Sequence, residues 1–251
     1  MSYTSPKYPR IGEPLIKLQR VDSTNNYAMA LVESGRASHG MAILAEEQTH
    51  GKGQRGKTWV SAADESLTMS IILFPDETLQ QIPFRLSALT ALACYDLLKY
   101  YGVDDLSIKW PNDLYWRDRK AGGILIETRY RAGQSAVAVI GIGMNINRNA
   151  QDEVLPIAVS MEEILQQRFS ASEIARELCN RLDMHFASVT NDPENNWVQQ
   201  FNEVLYKRGQ TVKLQTRKGI LETTIIGINR SGALLTTGGI FYQGDIVWLR
   251  E

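Results

Sequence analysis

The sequence has few of the residues that form metal sites or disulfide frameworks. Only two cysteines, Cys94 and Cys179, occur among 251 residues, and they lack metal-ligand spacing. Both are interpreted as buried, reduced thiols. The three histidines are scattered singly, so the sequence indicates neither a His–Cys pair nor a Ser–His–Asp triad.

Long apolar runs and an excess of one charge are also absent. The longest apolar stretch has about nine residues, whereas a membrane span needs roughly 18. Lysine and arginine number 27 against 28 acidic residues, so no general basic field favours binding to nucleic acid or to a membrane surface. The N-terminal residues contain prolines and no apolar core, which excludes a signal peptide and favours a cytoplasmic location.

Hydrophobic periodicity predicts an α+β protein. Strands are expected over residues 14–21, 41–46, 67–74, 106–110, 121–130 and 135–143, and helices over residues 25–34, 83–101, 161–167, 172–189 and 194–206. Short connections between the strands from 106 to 143 imply antiparallel neighbours. We therefore expect a mixed, largely antiparallel sheet with helices packed on it, spanning residues 14–205 after an N-terminal extension of residues 1–13.

The pattern of residue types changes near residue 206. From there, short β-rich runs alternate with glycines at intervals of a few residues. This pattern predicts a small C-terminal β-barrel over residues 206–251. A module of this size has little core of its own, so we expect it to pack on the larger domain.

A basic, glycine-rich loop, Gly51–Thr58, satisfies both the P-loop pattern and the G-x-G-x-x-G dinucleotide pattern. Both motifs require a helix directly after the loop, because its N-terminal amides receive the phosphate. No helical periodicity follows Thr58, which argues against a P-loop NTPase and a dinucleotide dehydrogenase. Three glycines and three cations remain, and they suit an anion site or a solvated hairpin tip.

A second informative stretch runs from Lys109 to Tyr115 and continues to Lys120 and the glycines that follow it. The Pro-Asn-Asp segment is typical of a turn. Lys120 precedes Gly122 and Gly123, so a ligand could approach the backbone closely beside its ammonium group.

Five separated motifs together resemble the biotin protein ligase family. They are Ser23-Thr24-Asn25, residues 46–59 with Gln48 and Trp59, residues 109–113, residues 120–127 and residues 141–145. The motifs occur in the order and spacing of the family, and the resemblance covers residues 14–251. It implies the sheet of class II aminoacyl-tRNA synthetases and biotin ligases, followed by an SH3-like barrel.

The resemblance implies an AMP-forming ligase. Biotin and MgATP would give biotinoyl-AMP, and a lysine of a biotin carboxyl carrier domain, such as that of acetyl-CoA carboxylase, would then displace AMP. Attack of a carboxylate on an α-phosphate brings negative groups together and requires cations and amide donors, which the basic loop supplies. ATP and Mg²⁺ are the implied cofactors, with the metal held through the ATP phosphates and its protein ligands unknown.

The resemblance also assigns residues to roles. Those implied for biotin binding are Ser23, Thr24, Asn25, Gln48, Gly51, Lys52, Gly53, Gln54, Lys120 and Gly123. Those implied for ATP binding are Arg55, Lys57, Trp59, Asn112, Lys120 and Asn145. The catalytic residues are expected to be Lys120, Arg55 and Lys57.

The chain departs from the family pattern at Gln54, where many relatives carry arginine. Glutamine donates to phosphate without a charge, so the usual phosphate contact is in doubt at this position. Relatives that repress transcription carry a winged helix-turn-helix domain before the ligase core, whereas here the first strand begins near Pro14. We therefore expect a short form that binds neither DNA nor membranes, and a homodimer remains open.

Two alternatives remain from the sequence. A lipoate ligase or octanoyl transferase shares the fold and also acts on carrier lysines, but the basic loop together with residues 109–113 favours biotin. A non-catalytic biotin-binding module would keep the pocket and lose the cations, whereas this chain retains Lys52, Arg55, Lys57 and Lys120.

Overall fold

The computed structural model describes residues 10–59, 63, 65–129, 136–147, 157–191 and 196–249. These residues form a seven-stranded sheet with helices on both faces, and a five-stranded sheet at the C-terminal end. Among the helices of the described residues, none combines the length and hydropathy needed to cross a membrane.

The larger sheet has the strand order β1-β2-β3-β7-β6-β5-β4. Only β1 and β2 pair in parallel, because α1 connects them, and the remaining neighbours are antiparallel. The strands are β1 (Leu15–Val21), β2 (Ala42–Gln48), β3 (Ser66–Leu73), β4 (Leu106–Lys109), β5 (Asp113–Trp116), β6 (Arg119–Arg129) and β7 (Val137–Asn145). The predicted α+β class with a mixed, largely antiparallel sheet is confirmed.

The helices lie on two faces of this sheet. They are α1 (Thr24–Glu33), α2 (Glu77–Gln80), α3 (Pro83–Tyr100), α4 (Met161–Leu165), α5 (Ala171–Asn191) and α6 (Trp197–Glu203). The main core lies between one face and α3, α5 and α6, where Leu89, Leu97 and Leu182 are fully buried. Burying each such side chain contributes about 1.5–3 kcal/mol. A smaller apolar cluster under α1 covers part of the other face.

Both cysteines belong to the main core, as the sequence predicts. Burial raises the pKa of the Cys94 thiol far above its ordinary value, and burial, followed by the nearby Asp183 carboxylate, raises the pKa of Cys179 to about 12. Neither thiol forms a disulfide, and both are protonated at neutral pH.

Strand β5 was not predicted from the sequence. The segment around it was interpreted as a turn, and the structure extends it into a hairpin with β4, in which Lys109 pairs with Asp113. Among the described residues that follow Thr58, no helix precedes β3, which begins at Ser66, and the loop itself contains only a short 3₁₀ turn, Gln54–Gly56.

The C-terminal sheet has the order β11-β10-β9-β8-β12 and is antiparallel throughout. Its strands are β8 (Thr211–Thr216), β9 (Gly219–Ile228), β10 (Leu234–Thr236), β11 (Gly239–Phe241) and β12 (Ile246–Trp248). The arrangement fits the predicted SH3-like module. The domain boundaries proposed at residues 13/14 and 205/206 stay predictions.

The small sheet packs on the large one, as its size requires. Trp110 Nε1 donates to Gly232 O at 2.9 Å, and Trp248 Nε1 donates to Trp110 O at 3.2 Å. The Lys109 ammonium lies 4.6–5.4 Å from the ring centres of three aromatic residues, Tyr115, Tyr206 and Trp248. Cation–π attraction and hydrogen bonding therefore fix the small sheet against the end of β4.

Gly232, in the turn between β9 and β10, packs closely on Phe84 of α3. Its φ of +82° is unfavourable for other residues, and a Cβ there would lie 2.0 Å from Phe84 Cγ. Gly209 has a similar φ of +77° with no atom within 4 Å of its Cβ position. We expect Gly209→Ala to cost about 1–2 kcal/mol from backbone strain alone.

Gly232→Ala should cost about 1–3 kcal/mol more than Gly209→Ala, because the methyl group also displaces Phe84. Urea unfolding of both variants measures the difference. Equal losses of stability would show that the contact between Gly232 and Phe84 does not restrict the size of the residue at position 232.

Candidate active site

The candidate site lies on the face of the large sheet that carries α1, where buried polar side chains replace apolar ones. The strand register places Ala45, Thr68, Gly143, Gly123 and Asp113 in one row across β2, β3, β7, β6 and β5. Side chains directly opposite each other in a sheet share a face, so this row forms one continuous surface.

The turn between β1 and α1 forms one end of the site. Ser23 occupies the cap position of α1 with extended backbone, but its side chain makes no capping hydrogen bond. Gln48 Oε1, at the end of β2, accepts instead from Thr24 N at 2.7 Å and from Thr24 Oγ1 at 3.1 Å. Gln48 thereby satisfies a helix N–H and joins β2 to α1.

Asn25 is buried below this turn in a network of polar groups. Its Oδ1 lies 2.6 Å from Ser70 Oγ, and its Nδ2 donates to Glu127 Oε2 at 2.8 Å. Glu127 also pairs with Lys52, with 3.5 Å between Nζ and Oε1. The side chain of Asn25 lies flat on Gly141, where a Cβ would come within 2.4 Å of its Oδ1.

The glycine loop closes on itself as a narrow hairpin. Gly53 N donates to Lys57 O at 2.6 Å, Trp59 N donates to Gly51 O at 2.9 Å, and Lys52 forms a β-bridge with Thr58. Gly51 is buried, and the loop leaves no room for a side chain there, since a Cβ would lie 2.4 Å from the Trp59 carbonyl oxygen.

Lys120 lies at the opposite end of the site. Its Nζ donates to Asp113 Oδ1 at 2.7 Å, and the two side chains are 28% and 25% exposed. A Cβ on Gly123 would lie 3.2 Å from the same Nζ. The lysine is therefore held in one direction and remains reachable from solvent, as a group that contacts a ligand must be.

Trp59 forms a wall beside Lys120. Its ring lies on Gly143, where a Cβ would come within 2.6 Å of Cε2, and Lys120 Nζ is 5.9 Å from the ring centre. The indole Nε1 is buried and, within the part of the chain that the structure describes, has no hydrogen-bond partner. A buried donor without a partner is costly, which is a feature of sites that await a ligand or a water molecule.

Two of the predicted nucleotide residues bind the protein backbone. Asn112 Nδ2 donates to Ile124 O at 2.6 Å. Asn145 Nδ2 lies 3.2 Å from the carbonyl oxygens of both Lys120 and Val159. Both asparagines are buried, and each side chain holds the backbone of β6, the strand that carries Lys120.

The structure brings most of the predicted residues together in two groups. The first group is a set of hydrogen-bonded or ion-paired side chains next to the cap residue Ser23, namely Thr24, Gln48, Asn25 and Lys52, of which Asn25 and Lys52 bind Glu127. The second group surrounds Lys120 and consists of Trp59, Gly123 and Asn145, with Asn112 bonded to the neighbouring Ile124. Arg55 and Lys57 stand apart, exposed at the tip of the loop. Within the described residues neither makes an ion pair.

Three residues of the site were assigned no role from the sequence: Ser70, Asp113 and Glu127. Asp113 and Glu127 lie inside the recognised motifs, and the register that pairs Asp113 with Gly123 needs the unpredicted strand β5. Ser70 lies in a largely apolar strand, where the available signal was the alternation of three hydroxyl residues, Ser66, Thr68 and Ser70.

The matching family model, described as the biotin/lipoate A/B protein ligase family, covers residues 17–145. The chain is 30% identical over 232 residues to the Bifunctional ligase/repressor BirA of Escherichia coli K12, covering 89% of this chain and 69% of that protein. It is 30% identical over 240 residues to the Biotin–[acetyl-CoA-carboxylase] ligase of Mycobacterium tuberculosis, covering 91% and 86%.

Solved structures give the same result. The biotin protein ligase of Aquifex aeolicus in complex with biotin and ATP matches with a TM-score of 0.75 and 25% identity, covering 94% of this chain and 99% of that one. The predicted fold and family are thus confirmed by independent comparisons of sequence and structure: the chain belongs to the biotin/lipoate A/B protein ligase family.

Proposed function

We propose that this protein activates biotin with ATP and transfers it to a lysine of a carrier domain of a biotin-dependent carboxylase. Biotin ligation with ATP is supported by the relatives named as biotin ligases and by the Aquifex aeolicus complex. The observation that carries the assignment of residues is the length of the site. Gly123 and Glu127 both lie on β6, four positions apart. At about 3.3 Å per residue, roughly 13 Å of strand separates them.

A site of this shape suits a molecule with a polar head and an acidic tail. The network of Asn25, Thr24 and Gln48 would receive the ureido head group of biotin, since it offers both donors and acceptors. The carboxylate would then lie near Lys120, at the end of the site where Trp59 forms the wall beside the nucleotide.

In the first step a biotin carboxylate oxygen attacks the α-phosphorus of ATP, and the bond to pyrophosphate breaks. Lys120 would hold the carboxylate and the α-phosphate together and stabilise the charge that develops there. Arg55 and Lys57 would reach the phosphates from the loop, with backbone amides of the loop as further donors. In the second step the carrier lysine attacks the acyl carbon, the amide forms, and AMP leaves.

Mg²⁺ would reach the site with the ATP phosphates as its main ligands. The described residues contain no group of three or more acidic, His or Cys side chains that could hold a metal alone, and Mg²⁺ commonly binds through phosphates and water with one or two carboxylates. When bound, the ion neutralises charge on the departing pyrophosphate.

The purified protein should exchange labelled pyrophosphate into ATP only when biotin is present, because the first step is reversible and needs the carboxylate. Lipoate and octanoate should not replace biotin. An apo carrier domain should then accept label from biotin. Exchange without biotin, or exchange driven by lipoate, would contradict the proposal and would favour another member of the family.

Lys120→Ala should slow formation of biotinoyl-AMP 100-fold or more. A positioned donor at the developing charge contributes about 2.7–4 kcal/mol. Lys213→Ala removes an exposed lysine of β8 and is the matched control. Single-turnover assays on folded variants, checked by thermal unfolding, measure the effect. A folded Lys120→Ala variant that reacts at the wild-type rate would show that Lys120 takes no part in the chemical step.

Asp113→Asn should slow the same step about tenfold, because the ion pair that directs Lys120 is replaced by a weaker hydrogen bond from the ammonium group to a neutral carboxamide oxygen. Since Asp113 acts through Lys120, the double variant Asp113→Asn/Lys120→Ala should be no slower than Lys120→Ala alone. Additive losses in the double variant would instead indicate that Asp113 contacts the substrate or the metal independently.

A further inference from the structure

One side-chain hydrogen bond links the tip of the glycine loop to the C-terminal sheet. Gln243 Nε2 donates to Gln54 Oε1 at 3.1 Å. Beside it, Arg55 Nη2 lies 3.6 Å from the position that a Cβ on Gly244 would take. In the part of the chain that the structure describes, no other side-chain hydrogen bond or ion pair involves residues 54–57.

The tip itself has little that fixes its position. None of its residues, Gln54–Gly56, is buried. Gly53 precedes this turn and Gly56 is its last residue. Arg55 has a φ of 56°, a left-handed conformation that costs a non-glycine residue roughly 1–2 kcal/mol. The internal hydrogen bonds close the hairpin but do not orient it relative to Lys120.

The partner turn, residues 242–245, is in contrast firmly held. Tyr242 N donates to Asp245 Oδ2 at 2.8 Å, and Asp245 N donates to Tyr242 O at 3.0 Å. Strand β12 follows directly, with Ile246 buried and Trp248 bonded to the Trp110 carbonyl group. The turn is thus fixed to the same segment, residues 109–113, that supplies Asp113 to Lys120.

We infer that Gln243 is a positioning residue for the glycine loop and acts on the retention of biotinoyl-AMP. It holds Gln54, and with it the neighbouring Arg55, over the site, so that the loop retains biotinoyl-AMP until a carrier domain arrives. The inference rests on the proposed function and adds a residue from the C-terminal sheet to it. A neutral side chain at position 54 makes this contact possible, because two carboxamides can pair with each other.

Release of biotinoyl-AMP tests the inference directly. Labelled intermediate is formed on the protein and chased with excess unlabelled biotin and ATP. Gln243→Ala should release it about two- to tenfold faster, the range that one neutral hydrogen bond supports. Gln54→Ala should do the same, and the double variant should be no faster than either single one, because both remove the same bond.

Two further variants separate positioning from general stability. Gln215→Ala removes an exposed glutamine from β8 of the same sheet and should leave release unchanged. Gln243→Glu should release the intermediate as slowly as the wild type does. The Gln54 amide can rotate and donate to the new carboxylate, which also lies near the positive charge of Arg55. The rate of adenylate formation should change less than the rate of release in every variant.

Trypsin gives a readout that needs no substrate. Arg55 and Lys57 are exposed cleavage sites, and Gln243→Ala should increase cleavage after them relative to wild type and to Gln215→Ala. Mass spectrometry of the fragments identifies the cut.

Unchanged release and unchanged cleavage in Gln243→Ala would overturn the inference while leaving the ligase function intact. Additive effects of Gln54→Ala and Gln243→Ala would also overturn it, since the two residues would then act separately. If wild-type protein forms no biotinoyl-AMP, the proposed function fails, and this inference fails with it.

Discussion

The site depends on a strip of sheet surface that carries no side chains. Gly141 and Gly143 lie on one face of β7, and Asn25 and Trp59 rest directly on them. A glycine within a strand costs roughly 0.5–1 kcal/mol relative to alanine. A methyl group at either position would come within 2.4–2.6 Å of the side chain above it, so that Asn25 or Trp59 would have to move. The bare strip is therefore maintained at some expense of sheet stability.

The C-terminal sheet supports the site indirectly, by binding the segment that carries Asp113. Trp110 bonds to Gly232 and accepts from Trp248, and the segment it belongs to continues into Asp113. A displacement of the small sheet would thus be transmitted to the carboxylate that directs Lys120. The two sheets are consequently one mechanical unit around the site, which explains why a module too small to fold comfortably alone is packed so closely here.

Most of the large sheet followed from the apolar patterns of its strands and helices, and the central strands β3 and β7 are apolar runs buried on both faces. Strand β5 did not, since Pro111 and Asn112 favour a turn and the pairing of Asp113 with Gly123 is a non-local contact. The cap of α1 also depends on a non-local contact: Ser23 occupies the cap position, but its side chain makes no capping hydrogen bond, and Gln48 from a neighbouring strand accepts from the helix N–H instead. Motif residues could be named from the sequence, whereas their partners depend on register, which local patterns do not specify.

The cations of the site fall into two classes by their partners. Lys120 and Lys52 each face a carboxylate, so their charge is balanced and their direction fixed. Arg55 and Lys57 are exposed and, among the described residues, form no ion pair. Exposed charges act over about a Debye length of 8–10 Å and attract anions from solution, whereas a held ammonium group acts on the atoms next to it. The loop cations are therefore suited to capturing ATP, and Lys120 is suited to the chemical step.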